Sequence, residues 1–431
     1  MNLYQFYAQL AKEVDNPVSA LSKRGLKLRQ WKEQSISQPS VFHRPKEEIW
    51  VPLRAQTKEK SFCAVSPGEC VELGQVLSYT TGNGQPAVFA PLAGEVSDIR
   101  TLDHPYLGKE LECAVLRPKP GIDVDHPPKL DVDSASSQEI LSRCGNAGII
   151  DELDGLPLAQ KLAQAARDGC SILVVDALDD QPYCTSGLRT LIERRAEVGQ
   201  GAVLAAAVAG ASRSCIAAYR PAAVAPYLPL EAGGVSVLEL TGRYPCLAEL
   251  VDQMQLWGGG IRIGVQAAAA LSQAVVSLTK QQSVMVTVGG PCVRTATNFR
   301  VTTGTLTSEL IDQCALRREP GLIVYGGAMT GRPGELDRPV PITPQMTSIL
   351  LYPTPPPQGA GRCVGCGRCS EVCPRGLVPA LIARAQQNGN IRAVKGLAAN
   401  RCIGCGCCSF VCPMGCDTAE AVRAAALLVQ K

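Results

Sequence analysis

The 431-residue chain is poor in aromatic residues, in histidine and in long apolar runs. Aromatics make up 4% of it, so small apolar side chains must fill its cores. The three histidines, His43, His104 and His126, have no neighbouring partner motif, so no catalytic histidine is expected. The longest apolar run, residues 201–211, is about half as long as a transmembrane helix. The sequence therefore predicts no transmembrane segment.

Charge of one sign is also lacking, because 42 basic residues nearly balance 39 acidic ones and leave a net charge of +3. No basic tract is interleaved with aromatic residues, and nucleic acid is therefore not an expected partner. The N-terminus, "MNLYQFYAQLAKEVDN", has no basic stretch followed by an apolar run, so no secretory signal is expected. We therefore expect a cytoplasmic protein in a reducing compartment, which a partner could still hold at a membrane.

Cysteine is abundant, and ten of the 20 cysteines crowd into residues 363–416. The stretches "CVGCGRCSEVCP" and "CIGCGCCSFVCP" both have the spacing C-x2-C-x2-C-x3-C-P, which is typical of bacterial [4Fe–4S] ferredoxins. The short spacings let one loop present three thiolates to three irons, and the proline turns the fourth cysteine away. Zinc sites use paired C-x2-C motifs instead, and a disulfide framework does not suit a reducing compartment. The sequence therefore predicts two [4Fe–4S] clusters.

The two motifs are expected to exchange their fourth cysteines, because in two-cluster domains the fourth cysteine ligates the other cluster. Cys407 and Cys416 are then left over and are interpreted as packing residues. The ten cysteines before residue 315 have no ligand spacing and are expected to be free thiols in apolar surroundings. The predicted ligands are Cys363, Cys366, Cys369 and Cys412 for the first cluster, and Cys402, Cys405, Cys408 and Cys373 for the second.

The rest of the chain divides by its patterns of apolar residues and turns. Two strand–turn–strand units predict a barrel-sandwich fold of the biotinyl type, and the turn "SYTTGNGQP" lacks the lysine of a carrier, which favours a scaffold. Alternating helices and strands, among them "AVLAAAVA" as a strand, predict a parallel α/β sheet. The predicted multidomain order is an N-terminal arm (1–39), a barrel-sandwich hybrid (40–120), a linker (121–137), a parallel-sheet α/β domain (138–282), a small α+β module (283–355) and a two-cluster, ferredoxin-like α-helical domain (356–431).

The α/β domain has two stretches that bear on a nucleotide site. The first, "NAGIIDELDGLPLAQKL" (146–162), offers only Gly148 and Gly155 for a phosphate-binding turn, and its acidic residues would repel phosphate. Taken alone, it predicts a helix N-terminus with acidic capping.

The second stretch, "VVDALDDQPYCTS" (174–186), runs from a strand into an acidic turn. Parallel sheets bind ligands at the carboxyl ends of their strands. Asp176, Asp179 and Tyr183 could therefore contact a flavin or a ribose, or they could be solvated turn residues.

Together these residues resemble the C subunit of Rnf-type ferredoxin:NAD oxidoreductases and its relative, the cobalamin reductase of propanediol-utilising microcompartments. The resemblance covers roughly residues 40–425 and rests on "VSPGECVELGQVL…APLAGEVSDI", "DDQPYCTS", "VMVTVGG…NFRVTTGTLTSELI…VYGGAMTG…ITPQMTSILLYP" and both ferredoxin motifs. It implies an α/β domain related to the flavoprotein subunit of respiratory complex I and a ubiquitin-like, SLBB-type ligand-binding module. It also implies ferredoxin, a flavoprotein or membrane-complex subunits as partners, at the inner membrane or inside a microcompartment.

In that family the α/β domain binds FMN and NADH, and electrons pass from hydride to flavin and then singly through the clusters. The family loop resembles A-G-I-x-G-x-G-G-A-G-F-P-T, whereas this chain has "AGIIDELDGLPLA", with most glycines lost. The residues that the resemblance places at a flavin or nucleotide site are Gly148, Gly155, Lys161, Asp176, Asp179 and Tyr183.

Three functions remain open from the sequence. The first is an iron–sulfur protein that passes single electrons between redox partners and has lost or loosened its nucleotide site. The second is an FMN-dependent NADH oxidoreductase with ferredoxin or cobalamin as acceptor, in which case the chain is an enzyme. The third is a scaffold or assembly subunit of a redox complex. Two intact cluster motifs beside a degraded glycine loop favour the first.

Overall fold

Four β-sheets and a helical C-terminal region organise the protein. The computed structural model describes residues 24–56, 60–81, 86–119, 135–355 and 361–429. The arm predicted for 1–39 and the linker predicted for 121–137 lie mostly outside these ranges. The described end of the arm contains one short helix, α1 (Glu33–Ser37), and is followed by strand β1 (Val41–His43).

Two small antiparallel sheets come next and enclose one apolar core. Their strands are β2 (Ile49–Pro52), β3 (Ser61–Cys63), β4 (Cys70–Val71), β5 (Val76–Thr80), β6 (Pro86–Phe89), β7 (Gly94–His104) and β8 (Gly108–Pro118). One sheet has the order β2-β8-β7-β4, and the other has the order β3-β5-β6. Ile49, Leu77, Val96 and Leu116 are fully buried between them. This is the predicted barrel-sandwich fold.

The α/β region is a five-stranded sheet with helices packed on both faces. Its strands are β9 (Ile172–Ala177), β10 (Arg213–Tyr219), β11 (Glu231–Ala232), β12 (Val235–Leu240) and β13 (Gly260–Gly264), in the order β11-β12-β10-β9-β13. Its helices are α2 (Ser137–Asn146), α3 (Leu158–Asp168), α4 (Ser186–Glu193), α5 (Arg195–Ala209), α6 (Leu247–Leu256) and α7 (Val265–Ser277). β9, β10, β12 and β13 are parallel, as predicted.

The prediction of a strand at "AVLAAAVA" (202–209) is wrong, because this stretch is the second half of α5. The helix packs so closely that a Cβ on Gly199 or Gly201 would lie 1.9 Å from a backbone oxygen of Ala232 or Ala268. Since it is buried on most sides, nearly all its positions are small or apolar and no helical period shows in the sequence. A short apolar run of this kind cannot be distinguished from a buried strand by its pattern.

A six-stranded mixed sheet follows, built from β1 and five later strands. These are β14 (Ser283–Gly289), β15 (Thr297–Thr302), β16 (Leu322–Tyr325), β17 (Arg332–Gly334) and β18 (Ser348–Tyr352), in the order β1-β15-β14-β18-β16-β17, with helix α8 (Thr307–Asp312) between β15 and β16 in sequence. β1 pairs in parallel with β15, and Val41 lies opposite Phe299. The start of the segment assigned to the barrel sandwich therefore joins this later sheet.

Residues 361–429 form a helical region around the cysteine motifs. Its helices are α9 (Arg368–Glu371), α10 (Pro379–Gln387), α11 (Ile391–Gly396), α12 (Cys407–Phe410) and α13 (Thr418–Val429), with a 3-10 turn at Ala399–Arg401. Ile382, Val394 and Val422 are buried together between the longer helices. Over all the ranges that the structure describes, no helix combines the length and apolar character that a membrane crossing requires.

Candidate functional site

Five cysteines drawn from both motifs line one pocket in the C-terminal region. Cys402, Cys405, Cys407 and Cys408 come from the second motif, and Cys373 is the fourth cysteine of the first; all but Cys407 are predicted ligands. The pocket is otherwise lined mainly by apolar residues and glycine. Four thiols are the donor set that a [4Fe–4S] cluster takes. Within the described ranges no group of three or more His, Cys, Asp or Glu side chains is arranged to hold a single metal ion.

The two motif loops share one backbone shape, and glycine makes it possible. φ is +71° at Gly365 and +79° at Gly367, and it is +68° at Gly404 and +79° at Gly406. These left-handed conformations favour glycine, which has no Cβ to clash with its own backbone. The turn directs backbone N–H groups toward the thiols. In the second motif, the N–H of Gly404 donates to the Cys402 sulfur at 3.4 Å.

The cysteines predicted for the first cluster lie nearer the surface. Cys363 and Cys366 are exposed, and Cys369 and Cys412 are half-buried. The sequence favours a packing role for Cys416, but its thiol is hydrogen-bonded to Cys412 and feels the charges of Cys363 and Cys369. Burial and then these neighbouring thiols raise the pKa of Cys416 to about 11. A fifth thiol therefore lies beside the predicted ligand set.

Cys407, the spare cysteine of the second motif, is buried as expected and also makes a specific contact. Its thiol is hydrogen-bonded to the sulfur of Cys405. This hydrogen bond lowers the pKa of Cys405, whereas burial raises the pKa of Cys407 well above its usual range. Cys407 therefore supports a predicted ligand in addition to filling space.

A short segment connects the second motif with the α/β sheet. The hydroxyl of Tyr244 donates to the carbonyl oxygen of Cys405 at 2.7 Å, and Tyr244 forms an antiparallel bridge with Leu26. The N–H of Gly25 donates to the carbonyl oxygen of Val372 at 3.0 Å. Residues 25–32, which we call the linking segment, thus contact both regions.

The linking segment ends on the acidic turn that follows β9. Trp31 stacks on Tyr183, with ring centroids 5.0 Å apart and planes 4° from parallel. Lys32 is fully buried, and its ammonium donates to the carbonyl oxygens of Gln181 and of Cys184, the latter at 2.7 Å. Burial lowers the pKa of Lys32, against the acidic groups around it. A tryptophan therefore covers one face of the tyrosine that the sequence offers as a flavin contact.

Backbone strain is concentrated at the same place. Trp31, Asp179 and Tyr183 have φ values of 46°, 41° and 67°, and they are three of six non-glycine residues with positive φ in the described ranges. Such conformations persist only where the surrounding structure holds them. The contact between the linking segment and the acidic turn is therefore closely specified.

The carboxylates of the acidic turn are engaged by the protein itself. Asp179 accepts the N–H of Leu188, in the first turn of α4, at 2.9 Å. Asp180 accepts a backbone N–H at the start of α6 at 2.6 Å, and burial raises its pKa to about 6. Asp176 pairs with Arg262 at 2.8 Å. Each of these three carboxylates therefore has a partner within the chain.

The three predicted site residues of the glycine loop are also used within the fold. A Cβ on Gly148 would lie 2.7 Å from the ring of Phe89, and a Cβ on Gly155 would lie 2.3 Å from the side chain of Gln345. Lys161 turns back to the loop and pairs with two of its carboxylates at 2.5 and 2.7 Å. These residues lie near each other, but their partners come from this chain.

The acidic loop residues occupy the N-terminus of a helix, as predicted, but the helix is α7 rather than the adjacent α3. The two oxygens of Glu152 accept the N–H groups of Gln266 at 2.7 Å and of Ala267 at 3.0 Å. Asp151 accepts the N–H of Gly264 at 3.0 Å. Burial and then the charge of Asp151 raise the pKa of Glu152 to about 8. Helix N-termini are common phosphate sites, and carboxylates fill this one.

Several residues of this arrangement could not be found by sequence reasoning. Trp31, Lys32, Tyr244 and Arg262 belong to no motif. Their partners are remote in sequence, since Lys32 lies 149 residues from Gln181. The one available signal is that Trp31 and Lys32 end the basic stretch "SKRGLKLRQWK" (22–32). Basic stretches are normally solvated, so this pattern does not predict a buried contact.

Two families match parts of the chain. The RnfC barrel sandwich hybrid domain matches residues 21–119, and the 4Fe-4S dicluster domain matches residues 362–416. A solved NAD+-reducing [NiFe]-hydrogenase in the H2-reduced state aligns with a TM-score of 0.45 at 13% identity, over 71% of this chain and 64% of that one.

Curated relatives cover most of the chain. The C subunit of the proton-translocating ferredoxin:NAD(+) oxidoreductase complex of Clostridium ljungdahlii is 25% identical, over 82% of this chain and 81% of its own length. The C subunit of the ion-translocating oxidoreductase complex of Rhodobacter capsulatus is 26% identical, over 77% and 68%. Its Vibrio cholerae counterpart is 26% identical over 81% of this chain, which spans about half (48%) of that protein.

These matches agree with the thiol pocket and confirm the resemblance seen in the motifs. The dicluster match covers both cysteine motifs, from residue 362 to residue 416. The chain is an iron–sulfur electron-transfer protein that is similar, over most of its length, to the C subunits of ion-translocating oxidoreductase complexes.

Proposed function

We propose that the chain passes single electrons through two [4Fe–4S] clusters between protein partners. Cys402, Cys405, Cys408 and Cys373 would hold one cluster, and the other would take the set predicted from the sequence. The observation that carries this is the pocket in which Cys373 joins the three predicted ligand thiols of the second motif, with Cys407 beside them. A bound [4Fe–4S] cluster supplies one-electron exchange at a potential that the protein tunes.

The chain's own groups would tune the second cluster through hydrogen bonds. Cys407 donates to the sulfur of Cys405, and the N–H of Gly404 donates to the sulfur of Cys402. Such bonds stabilise the more negative, reduced state and raise the potential. The hydroxyl of Tyr244 also holds the loop of the second motif, through its hydrogen bond to the carbonyl oxygen of Cys405.

FMN is not part of this proposal, because the residues at the carboxyl edge of the α/β sheet do not fit it. Its phosphate would find the N–H groups at the N-terminus of α7 already bonded to side-chain oxygens of Glu152 and Asp151. Its ring would compete with Trp31 for the face of Tyr183, and Lys32 is already bound to two carbonyl oxygens of the turn. These contacts favour electron entry from a protein over entry from NADH.

The partners are proposed to be subunits of a multi-subunit complex or soluble carriers that serve it. The relatives named above are complex subunits, which supports this assignment. A location at the inner membrane through such a complex follows, with a microcompartment as the alternative. We assign the mixed sheet of β1 and β14–β18 to the SLBB-type modules and the α/β region to the complex I flavoprotein class, within the domain limits given above. In this proposal both regions bind partner proteins.

Cofactor analysis of anaerobically purified protein tests the proposal. We expect about eight irons and eight sulfides per chain, without stoichiometric flavin. Dithionite should bleach the visible absorption and produce EPR signals of reduced clusters, whereas NADH should do neither, with or without added FMN. Clusters that dithionite cannot reduce would favour a scaffold role, and bleaching by NADH with one FMN bound would favour the enzyme.

A further inference from the structure

The C-terminal region carries an excess of positive charge. Residues 361–429 contain eight basic and three acidic residues, a net charge of +5, whereas the whole chain has a net charge of +3. The rest of the chain is thus slightly acidic. The basic residues of the region are Arg362, Arg368, Arg375, Arg384, Arg392, Lys395, Arg401 and Arg423, and the acidic ones are Glu371, Asp417 and Glu420.

Four of these basic residues lie on one stretch of the region. Arg384 is on α10, Arg392 and Lys395 are on α11, and Arg401 ends the following 3-10 turn. The ion pairs of this region use other arginines, and among the described residues none links these four to a carboxylate. Their charge is therefore available to an external partner.

One of the four, Arg384, lines a shallow groove between α10 and α11. Its apolar lining includes Leu381, Ala385, Ala393 and Leu397. Leu381, on α10, and Ile391, on α11, are 51% and 49% exposed. An apolar centre with a charged rim is the usual composition of a protein interface.

The same groove is close to the thiol pocket. Ala385, Ala393 and Leu397 belong to the apolar cluster that also contains Cys373 and Cys402. The groove and two of the predicted ligand thiols therefore adjoin the same apolar cluster. Electron transfer between proteins requires such proximity, because its rate falls steeply with distance.

We propose that the α10–α11 face, defined by Leu381, Arg384, Ile391, Arg392 and Lys395, is the docking site of a small acidic one-electron carrier protein. The assignment rests on the proposed function, because it needs an iron–sulfur centre behind the face. One electron leaves the reduced carrier and enters that centre, and no bond forms or breaks. Carboxylates of the carrier meet the arginines and the lysine, and the opposite charges accelerate encounter.

The test uses the full cluster-loaded chain and a reduced, small acidic [4Fe–4S] ferredoxin as the probe. In stopped-flow oxidation at an ionic strength of about 50 mM, Arg392→Glu/Lys395→Glu should lower the second-order rate constant about tenfold or more. Near 0.5 M salt the difference should vanish, because exposed charges are then screened. The control Arg117→Glu/Arg213→Glu makes the same charge change on β8 and β10 and should stay within about twofold of wild type.

Reduced methyl viologen, a small cation, reports the competence of the centre without docking. If it reduces every variant equally while the ferredoxin rates of the two double variants agree, the docking assignment is overturned and the proposed function stands. If neither reductant reduces the wild-type chain, the proposed function fails as well. A salt-independent ferredoxin rate in the wild type would also overturn the assignment, and this result needs no variant.

Discussion

The indole ring of Trp31 lies flat on the phenol ring of Tyr183, with 5.0 Å between the centroids. The backbone reinforces this pair, because the N–H of Tyr183 donates to the carbonyl oxygen of Gln30 at 2.8 Å. At the same edge of the sheet, Glu152 closes the N-terminus of α7. The chain thus places its own residues where parallel α/β sheets bind nucleotides.

Replacing the tryptophan should release the linking segment. In Trp31→Ala the stacked pair is lost, and such pairs contribute about 0.5–1.5 kcal/mol beyond the area they bury. We expect trypsin to cleave after the exposed Arg29 about fivefold faster or more, as measured by mass spectrometry of timed digests. FMN affinity should not appear, because Glu152 still occupies the helix N-terminus.

Trp31→Phe is the matched control, since a phenyl ring can still stack on Tyr183. Its cleavage rate after Arg29 should remain within about twofold of wild type. Equal cleavage of the Ala and Phe variants would show that the stack does not hold the segment.

The cluster motifs could be predicted because their chemistry is local. Spacing within twelve residues determines which thiols share a loop, and the positive φ of Gly404 and Gly406 follows from that loop. The parallel sheet was predictable for a similar reason, since runs such as "CSILVVDA" are continuous and apolar.

The state of the nucleotide site could not be predicted in the same way. Lost glycines show that a phosphate loop is degraded, but they do not show what replaces the phosphate. Glu152 reaches the start of α7 more than a hundred residues later, and Lys32 becomes buried only because the fold supplies carbonyl oxygens from a remote turn. The helix α5 was missed because burial on most of its sides removes the amphipathic period that identifies helices.

The carboxyl of Glu152 should make the start of α7 sensitive to pH. Its folded pKa, about 8, is raised above the usual value of 4.5, so the folded protein keeps a proton that the unfolded chain releases. Deprotonation of this buried carboxyl therefore destabilises the folded protein. The free energy of unfolding keeps the full contribution of Glu152 below about pH 4.5 and loses it as the pH rises through about 8. Since Asp151 is adjacent, the two carboxyls titrate as a pair.

Hydrogen exchange at the amides of Gln266 and Ala267 measures this effect locally. After correction for intrinsic rates, protection should fall by about tenfold or more between about pH 5 and about pH 8. Glu152→Gln should flatten this dependence, whereas Glu249→Gln, in the first turn of α6, should leave it intact. A wild-type profile that is flat over the same range would contradict the prediction.

The crossover of Cys373 predicts which cluster each substitution removes. Cys373→Ala should lose about four of eight irons. The EPR signal that it retains should match that of Cys402→Ala and differ from that of Cys366→Ala.

Cys407→Ala should keep all its iron but show a lower potential for the second cluster, because the hydrogen bond to Cys405 is gone. Loss of iron in Cys407→Ala, or a match between Cys373→Ala and Cys366→Ala, would contradict the ligand sets.

Cys416 should be able to replace Cys412 as a ligand of the first cluster. Its thiol already contacts Cys412 and feels the charges of Cys363 and Cys369, so it lies where a substitute for the Cys412 thiol would be needed. We therefore expect Cys412→Ala to retain more than about six of eight irons with a shifted EPR signal, and Cys412→Ala/Cys416→Ala to fall to about four. Cys416→Ala alone should retain all eight. If Cys412→Ala by itself falls to four, the fifth thiol does not bind iron and only packs.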